Sequence, residues 1–162
     1  MHQSVKGRPP ERQSNRRSDH LIHGVFPCRG DNKWLLIQVM SEAEWRKMVK
    51  EISDLKSFEG LGYNELRSEF SNIEKVLSGW TKQGDARSLM EKLRSVGIKA
   101  TVLNEIADLM EEPHLVAREY MQFVEREFVG SQPHPSSPWR IGKDPIRIEQ
   151  SAPTLGQHNK KV

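Results

Sequence analysis

Cysteine is almost absent from this sequence: Cys28 is the only one among 162 residues. That excludes an internal disulfide framework and fits a reducing cytosol. Aromatic residues are scarce at 7%, and hydrophobic residues without glycine reach 35%, against roughly 45–50% in ordinary globular chains with glycine counted. Any core must therefore be modest, and some apolar surface needs a partner. No run approaches the ~20 apolar residues of a membrane span, and residues 1–20 lack the apolar centre of a secretory signal. Gly7 and Gly60-Leu61-Gly62 lack the strand-before, helix-after setting of a phosphate-cradling loop, so no dinucleotide-binding or P-loop motif is present. A soluble, cytoplasmic protein is expected.

Charge is plentiful, at 29% of residues, and unevenly placed. The net charge is +3, and residues 1–20 carry all of it: Lys6, Arg8, Arg12, Arg16 and Arg17 stand against Glu11 and Asp19. A basic stretch can meet nucleic acid or the phosphates of a small ligand. No aromatic residue interleaves these bases, so there is no stacking platform for a single strand, and nucleic acid is not the expected partner. Residues 1–20 also contain no Leu, Ile, Phe, Trp or Tyr. They bury too little to repay ordering entropy and read as a basic disordered tail or linker.

From residue 21 the pattern becomes that of a folded domain. Two short extended runs, 23–28 and 33–39, flank Arg29-Gly30-Asp31-Asn32, whose Gly and Asn tolerate positive φ, so a β-hairpin is expected. Ser41 with Glu44 forms a capping box, and Trp45, Met48, Val49 and Ile52 follow at helical spacing. Residues 54–62 read as a loop. Leu66, Phe70, Ile73, Leu77 and Trp80 then form one apolar stripe of a single helix that ends near Gly79 or Gly84. Asp85 caps a further helix that buries Leu89, Leu93 and Val96 and stops at Gly97. Ile98–Leu103 reads as a strand, Asn104–Met110 as a brief helix, Pro113–Arg118 as another, and Tyr120–Glu127 as an edge or half-buried strand. Beyond Val129, Pro133, Pro135, Pro138, Pro145 and Pro153 punctuate a segment with little periodicity. The fold class is α+β: a small domain over 21–128 with a short antiparallel sheet and several helices, followed by an extended Pro-rich C-terminal segment over 129–162.

The residues themselves form no catalytic constellation. His20, His23 and Cys28 cluster but offer three ligands where structural zinc takes four, so no metal site is expected. Cys28 sits in an apolar run with no basic setting to activate it, and reads as a small core residue. Glu111-Glu112 and Glu125–Glu127 read as solvated surface charge.

Several motifs, in order, carry a resemblance to the family III CoA-transferases, the group that includes formyl-CoA and carnitine CoA-transferases and a related acyl-CoA racemase. They are Gly24-Val25-Phe26-Pro27-Cys28 with Gly30-Asp31 and Trp34; Trp45; Leu93 with Gly97-Ile98; Asp108-Leu109; Glu112-Pro113-His114-Leu115-Val116-Ala117-Arg118; Pro138-Trp139-Arg140-Ile141 with Pro145; and Ala152-Pro153-Thr154-Leu155-Gly156-Gln157-His158-Asn159. The similarity runs from about Ser14 to Val162. It identifies residues 21–128 with the family's small domain and 129–162 with the segment that returns toward a large domain. The large domain, which bears the catalytic aspartate, has no counterpart in this sequence.

The resemblance implies transfer of CoA from an acyl-CoA to a carboxylic acid through covalent intermediates on that aspartate. It implies a CoA thioester as substrate with no permanently bound cofactor, a homodimer when complete, and the large domain as partner. A fragment inactive by itself is expected. The family's glycine-rich loop falls at Arg17-Ser18-Asp19-His20, which has no glycine run. Arg16, Arg17 and His20 remain the candidate residues near the CoA site. Ser41 stands where the racemase branch carries a glutamate, which favours the transferase branch. Gln157 and Lys160-Lys161 also depart from the family's acidic pattern. Two other readings are a stand-alone, non-catalytic module that binds a large domain or another partner, and a nucleic-acid module using residues 1–20.

Overall fold

The computed structural model describes Gly7, Pro9, Arg16, Arg17 and residues 19–159. The disordered tail expected over 1–20 lies mostly outside the described residues, as do Lys160 and Lys161. The chain divides into two compact units, 1–103 and 104–162.

The first unit is built on the expected hairpin. Strand β1 (Ile22–Pro27) pairs antiparallel with β2 (Trp34–Val39), and Gly30 and Asn32 take positive φ in the turn between them. Strand β3 (Lys99–Leu103) joins the other side of β2, giving the order β1-β2-β3 and leaving β1 at an edge. Register places Ile22, Gly24 and Phe26 opposite Val39, Ile37 and Leu35, with Ala100 opposite Ile37. These residues are buried, forming the floor of the core. The other sheet face carries Trp34, Leu36 and Leu103, and Trp34 and Leu103 are exposed. Period-two alternation thus sends one face inward and leaves the other open.

Helices cover the inner face. Helix α1 (Glu42–Glu51) buries Trp45, Met48 and Val49. Its start follows the expected cap with one change: Ser41 Oγ accepts from Glu44 N at 3.2 Å, but Glu44 reaches back to the N–H of Met40 at 2.7 Å, not Ser41. A 3-10 turn (Ser53–Phe58) stands where a loop is expected and buries Leu55. The single helix expected around Phe70 is two. Helix α2 (Tyr63–Ser68) and helix α3 (Phe70–Thr81) meet at Glu69, whose φ and ψ of −84° and 1° leave the helical region. Ser68 donates its hydroxyl to Glu65 O at 2.8 Å, the back-bonding that bends helices. Leu66, Phe70, Ile73 and Leu77 are nonetheless buried together, with Trp80 packed at the margin.

Helix α4 (Ala86–Ser95) starts with Asp85 accepting from Ser88 N at 2.9 Å and ends at Gly97. Gly97, at φ 86°, allows Ile98 N to donate to Leu93 O and Gly97 N to Arg94 O, both at 2.9 Å. This is a complete Schellman motif, and its apolar pair, Leu93 and Ile98, is buried.

The second unit has a 3-10 turn (Ala107–Met110), helix α5 (Pro113–Ala117) and two small hairpins. Glu112 caps α5 through Leu115 N at 2.9 Å, and Pro113 occupies its first turn. Strand β4 (Met121–Arg126) pairs with β5 (Gly130–Pro135), and β6 (Arg140–Ile141) with β7 (Asp144–Pro145). Residues 130–135, assigned from sequence to an extended segment, thus form a strand with residues from the expected small domain. Further bonds tie the same regions. Gln122 donates to Ile146 O at 2.9 Å and accepts from Ile148 N at 2.8 Å, and Ser136 N donates to Tyr120 O at 2.7 Å. Prolines 133 and 135 are compatible with this because β5 is an edge strand of a two-stranded sheet. No helix among the described residues is long and apolar enough to cross a membrane.

Candidate functional site

Two cavities merit comparison, one in each unit. The larger, about 530 Å³, lies in residues 104–162 among Leu109, Met110, Leu115, Met121, Phe123 and Ile148. Its polar residues are already engaged: Arg147 pairs with Glu119, and Gln122 spends both ends of its amide on the backbone of 146–148. It offers apolar volume without groups free to direct a ligand.

The smaller, about 60 Å³, lies at the free edge of β1 in residues 1–103 and is lined by Arg16, Arg17, His20, Leu21, His23, Arg67 and Phe70. All three candidate residues read from the sequence therefore meet at one place. Each is held by a distinct device. The Arg16 guanidinium lies 4.7 Å from the centre of the Phe70 ring and donates to Ser71 Oγ at 2.8 Å, so α3 stations it. Arg17 grips Asp19 in two-pronged fashion, Nε to Oδ1 and Nη2 to Oδ2, each at 2.9 Å. His20 is buried, and its Nδ1 lies 2.9 Å from Asp19 Oδ1.

Electrostatics keep Asp19 and Arg17 charged. The paired hydrogen bonds from Arg17, and then that from His20, hold the Asp19 carboxyl well below the usual carboxylate range. The same Asp19 bond raises the Arg17 guanidinium above its ordinary value. An ionised carboxylate only accepts, so His20 carries its hydrogen on Nδ1. With both oxygens engaged, Asp19 is a structural anion and makes a poor nucleophile.

Two lining residues were not assigned to this site by sequence. His23 lies on β1, 5.2 Å from His20 between ring centres and edge-on to it, and its Nδ1 is buried without a hydrogen-bond partner. Arg67 lies on α2, bonded to Tyr63 Oη at 3.0 Å and 5.6 Å from that ring's centre. Nothing local in the sequence links residue 67 to residue 16. α2 and α3, which meet at Glu69, carry Arg67 and Phe70, and both residues line the pocket with Arg16. Cys28 is elsewhere, buried in the core, its thiol pushed up first by burial and then by Asp85. Among the described residues no group of three or more His, Cys, Asp or Glu is arranged to hold a metal ion. Chemically, the pocket presents cationic donors over a buried imidazole floor, an arrangement for binding an anion.

Residues 1–159 match CoA-transferase family III, and the chain belongs to that family. A probable CoA-transferase of Mycobacterium tuberculosis is 24% identical over 89% of this chain and 19% of its own length. The succinate–glutarate CoA-transferase of Agrobacterium fabrum is 23% identical over 100% of this chain and 41% of its own. Among solved structures, a CAIB/BAIF family protein from Brucella suis superposes with a TM-score of 0.78 at 20% identity, over 99% of this chain and 42% of that one. The chain thus spans less than half the length of these relatives. The α+β small-domain fold expected from the sequence is the fold these comparisons show.

Proposed function

We propose that this chain furnishes the small domain and C-terminal segment of a CoA-transferase. That enzyme moves CoA from an acyl-CoA donor to a carboxylic acid acceptor, with its aspartate nucleophile on a large domain outside these residues. The observation that carries the reading is a family match over nearly the whole chain that covers only 19% and 41% of two transferase relatives. The engagement of three of the chain's six aspartates is consistent with it. Asp19 is locked between Arg17 and His20, Asp85 caps α4, and Asp108 accepts from Glu105 N at 2.9 Å. A nucleophilic carboxylate needs an unspent lone pair at a substrate-sized cavity. Arg16, Arg17 and His20 sit near the CoA site of the complete enzyme, which works in the cytoplasm as a homodimer. Residues 129–162 pack along the large domain. CoA is a substrate, and no cofactor is permanently bound.

The exposed sheet face bearing Trp34 and Leu103 also suits the alternative of a non-catalytic partner-binding module. One assay separates the two. CoA exchange between succinyl-CoA and glutarate is followed with this chain alone and after adding a polypeptide carrying a family large domain. No exchange alone and recovery on mixing are expected. Turnover by the chain alone that depends on one of its own carboxylates overturns the reading. Tight association that never yields turnover with any acyl-CoA and acid pair transfers it to the partner-binding module.

A further inference from the structure

We infer that the β6–β7 hairpin is a docking surface for an acidic segment of a protein partner, with Trp139 and Ile141 as its apolar anchors and Arg118 as the cation that meets the partner's carboxylate. That the partner is the large domain rests on the function proposed above; the chemistry of the surface rests on geometry and charge within residues 104–162.

The first argument is exposure on a rigid mount. Arg140 turns toward the end of α5, where its Nη1 donates to Arg118 O at 3.4 Å, while its neighbours Trp139 and Ile141 are each left 76% exposed. Their backbone is nonetheless held. Trp139 N donates to Ser137 Oγ at 3.2 Å, Arg118 Nη2 to Pro138 O at 3.0 Å and Arg140 Nη2 to Lys143 O, and Gly142 at φ 64° opens the turn between the strands. Large apolar side chains on a fixed backbone lose little freedom when covered, and Trp with Arg is the composition of an interface's energetic centre.

The second argument is charge. Arg118, Arg140, Lys143 and Arg147 stand here against Glu119 and Asp144. Glu119 follows Arg118 in the chain but does not pair with it: at φ 51° it ends α5 in the left-handed conformation and reaches Arg147. Among the described residues no carboxylate pairs with Arg118 or Arg140, whose partners are carbonyl oxygens. Arg140 Nε is buried with no partner at all. Partly buried guanidinium groups without a counter-ion are costly. A partner's carboxylate supplies one at Arg118, whose single bond to Pro138 leaves N–H donors for a two-pronged grip. A small acid bound there leaves Trp139 and Ile141 in water; an acidic polypeptide segment covers them and brings the carboxylate with it.

The test is isothermal titration calorimetry of the full chain, at low and high salt, with the portion of the Agrobacterium fabrum relative that lies outside its match to this chain, its fold checked by circular dichroism. Association is expected, tighter at low salt. Trp139→Ala should weaken it about tenfold or more, and Ile141→Ala about threefold or more. Arg118→Gln should weaken it about threefold or more and flatten the salt dependence, with Arg118→Lys between it and the unaltered chain. Lys75→Gln and Ile106→Ala, at exposed positions outside the hairpin, should each change affinity less than about twofold. Amide dispersion checks that each variant is folded, and Trp139→Ala, which removes a mostly exposed side chain, keeps the test decisive if Arg118→Gln disturbs the hairpin. No association, or equal loss in Lys75→Gln or Ile106→Ala, overturns the inference. Self-association of the chain that Trp139→Ala abolishes marks the occupant as a second copy, and succinate moving the Arg118 resonances without Trp139 marks a small-acid site; either result overturns it. If mixing restores CoA exchange while Trp139→Ala and Arg118→Gln bind as the unaltered chain does, the docking assignment fails and the transferase reading stands. If binding depends on these residues and exchange never appears, the reverse holds.

Discussion

Replacing Phe70 by alanine tests both the core and the pocket, because this ring serves each. Its relative exposure is 5%, inside the cluster that includes Leu66, Ile73 and Leu77, while its face lies under the Arg16 guanidinium. Truncation removes a buried aromatic side chain, which costs about 3–5 kcal/mol from lost transfer energy and the cavity left behind. The cation–ring contact adds about 0.5–1 kcal/mol at so exposed a guanidinium. With a urea m-value of about 2 kcal/mol/M, the midpoint should fall by roughly 1.5–3 M. Fluorescence reports this cleanly in a Trp139→Phe background. That change silences the exposed tryptophan of residues 104–162 and leaves Trp34, Trp45 and Trp80 in the first unit. Phe70→Leu separates the two roles: it keeps most of the apolar volume, so it should cost less than about 1.5 kcal/mol, while it removes the ring under the Arg16 guanidinium. An unchanged midpoint in Phe70→Ala would refute burial of the stripe.

Three further outcomes are expected. Cys28 should react slowly with an alkylating reagent at neutral pH and quickly after unfolding, because burial raises its thiol pKa and shrinks the thiolate fraction; mass spectrometry of native and urea-treated protein decides it. Asp85→Ala should cost about 1 kcal/mol through loss of the α4 cap, chiefly above the ordinary carboxylate value. Hydrogen bonds from Ser88 depress the Asp85 pKa, so the stabilisation of its charged form is present above the unfolded value and fades as pH falls below 3.8; a difference between variant and parent that widens toward acid contradicts the capping role. Gln122→Ala should speed amide exchange at Ile148 while leaving Ile73 and Leu77 protected, since Gln122 supplies the acceptor for the Ile148 N–H; slow exchange at Ile148 in the variant would mean that another group holds it.

What the sequence made legible follows the range of the forces involved. Caps and turns act over three or four residues, so Ser41, Asp85, Gly97 and the Gly30–Asn32 turn were readable and occupy their expected places. The stripe through Leu66, Phe70, Ile73 and Leu77 was also readable, because periodicity reports the buried face. The break at Glu69 was not. The break, where Ser68 donates its hydroxyl to Glu65 O, leaves the apolar spacing unchanged. The C-terminal prolines misdirected the reading in a similar way. Proline excludes helix, but an edge strand tolerates it, and the partner strand that makes β5 lies in a part of the chain with no sequence mark of pairing.

The same logic explains why the pocket was half visible. Arg16, Arg17 and His20 were named because the family resemblance places its active-site loop at residues 17–20, and the basic residues there suit a CoA phosphate. Arg67 and His23 were hidden because neither departs from its surroundings: Arg67 reads as an ordinary solvated base on a helix, His23 as an alternating residue on a strand. What converts them into site residues is placement. The helix break at Glu69 lies between Arg67 and Phe70, β1 is the edge strand of its sheet among the described residues, and Phe70 offers its face to Arg16. Both the bend and the edge position belong to the small-domain fold. Substitutions that straighten α2 into α3, such as Ser68→Ala, should therefore disturb the pocket while leaving the apolar stripe buried.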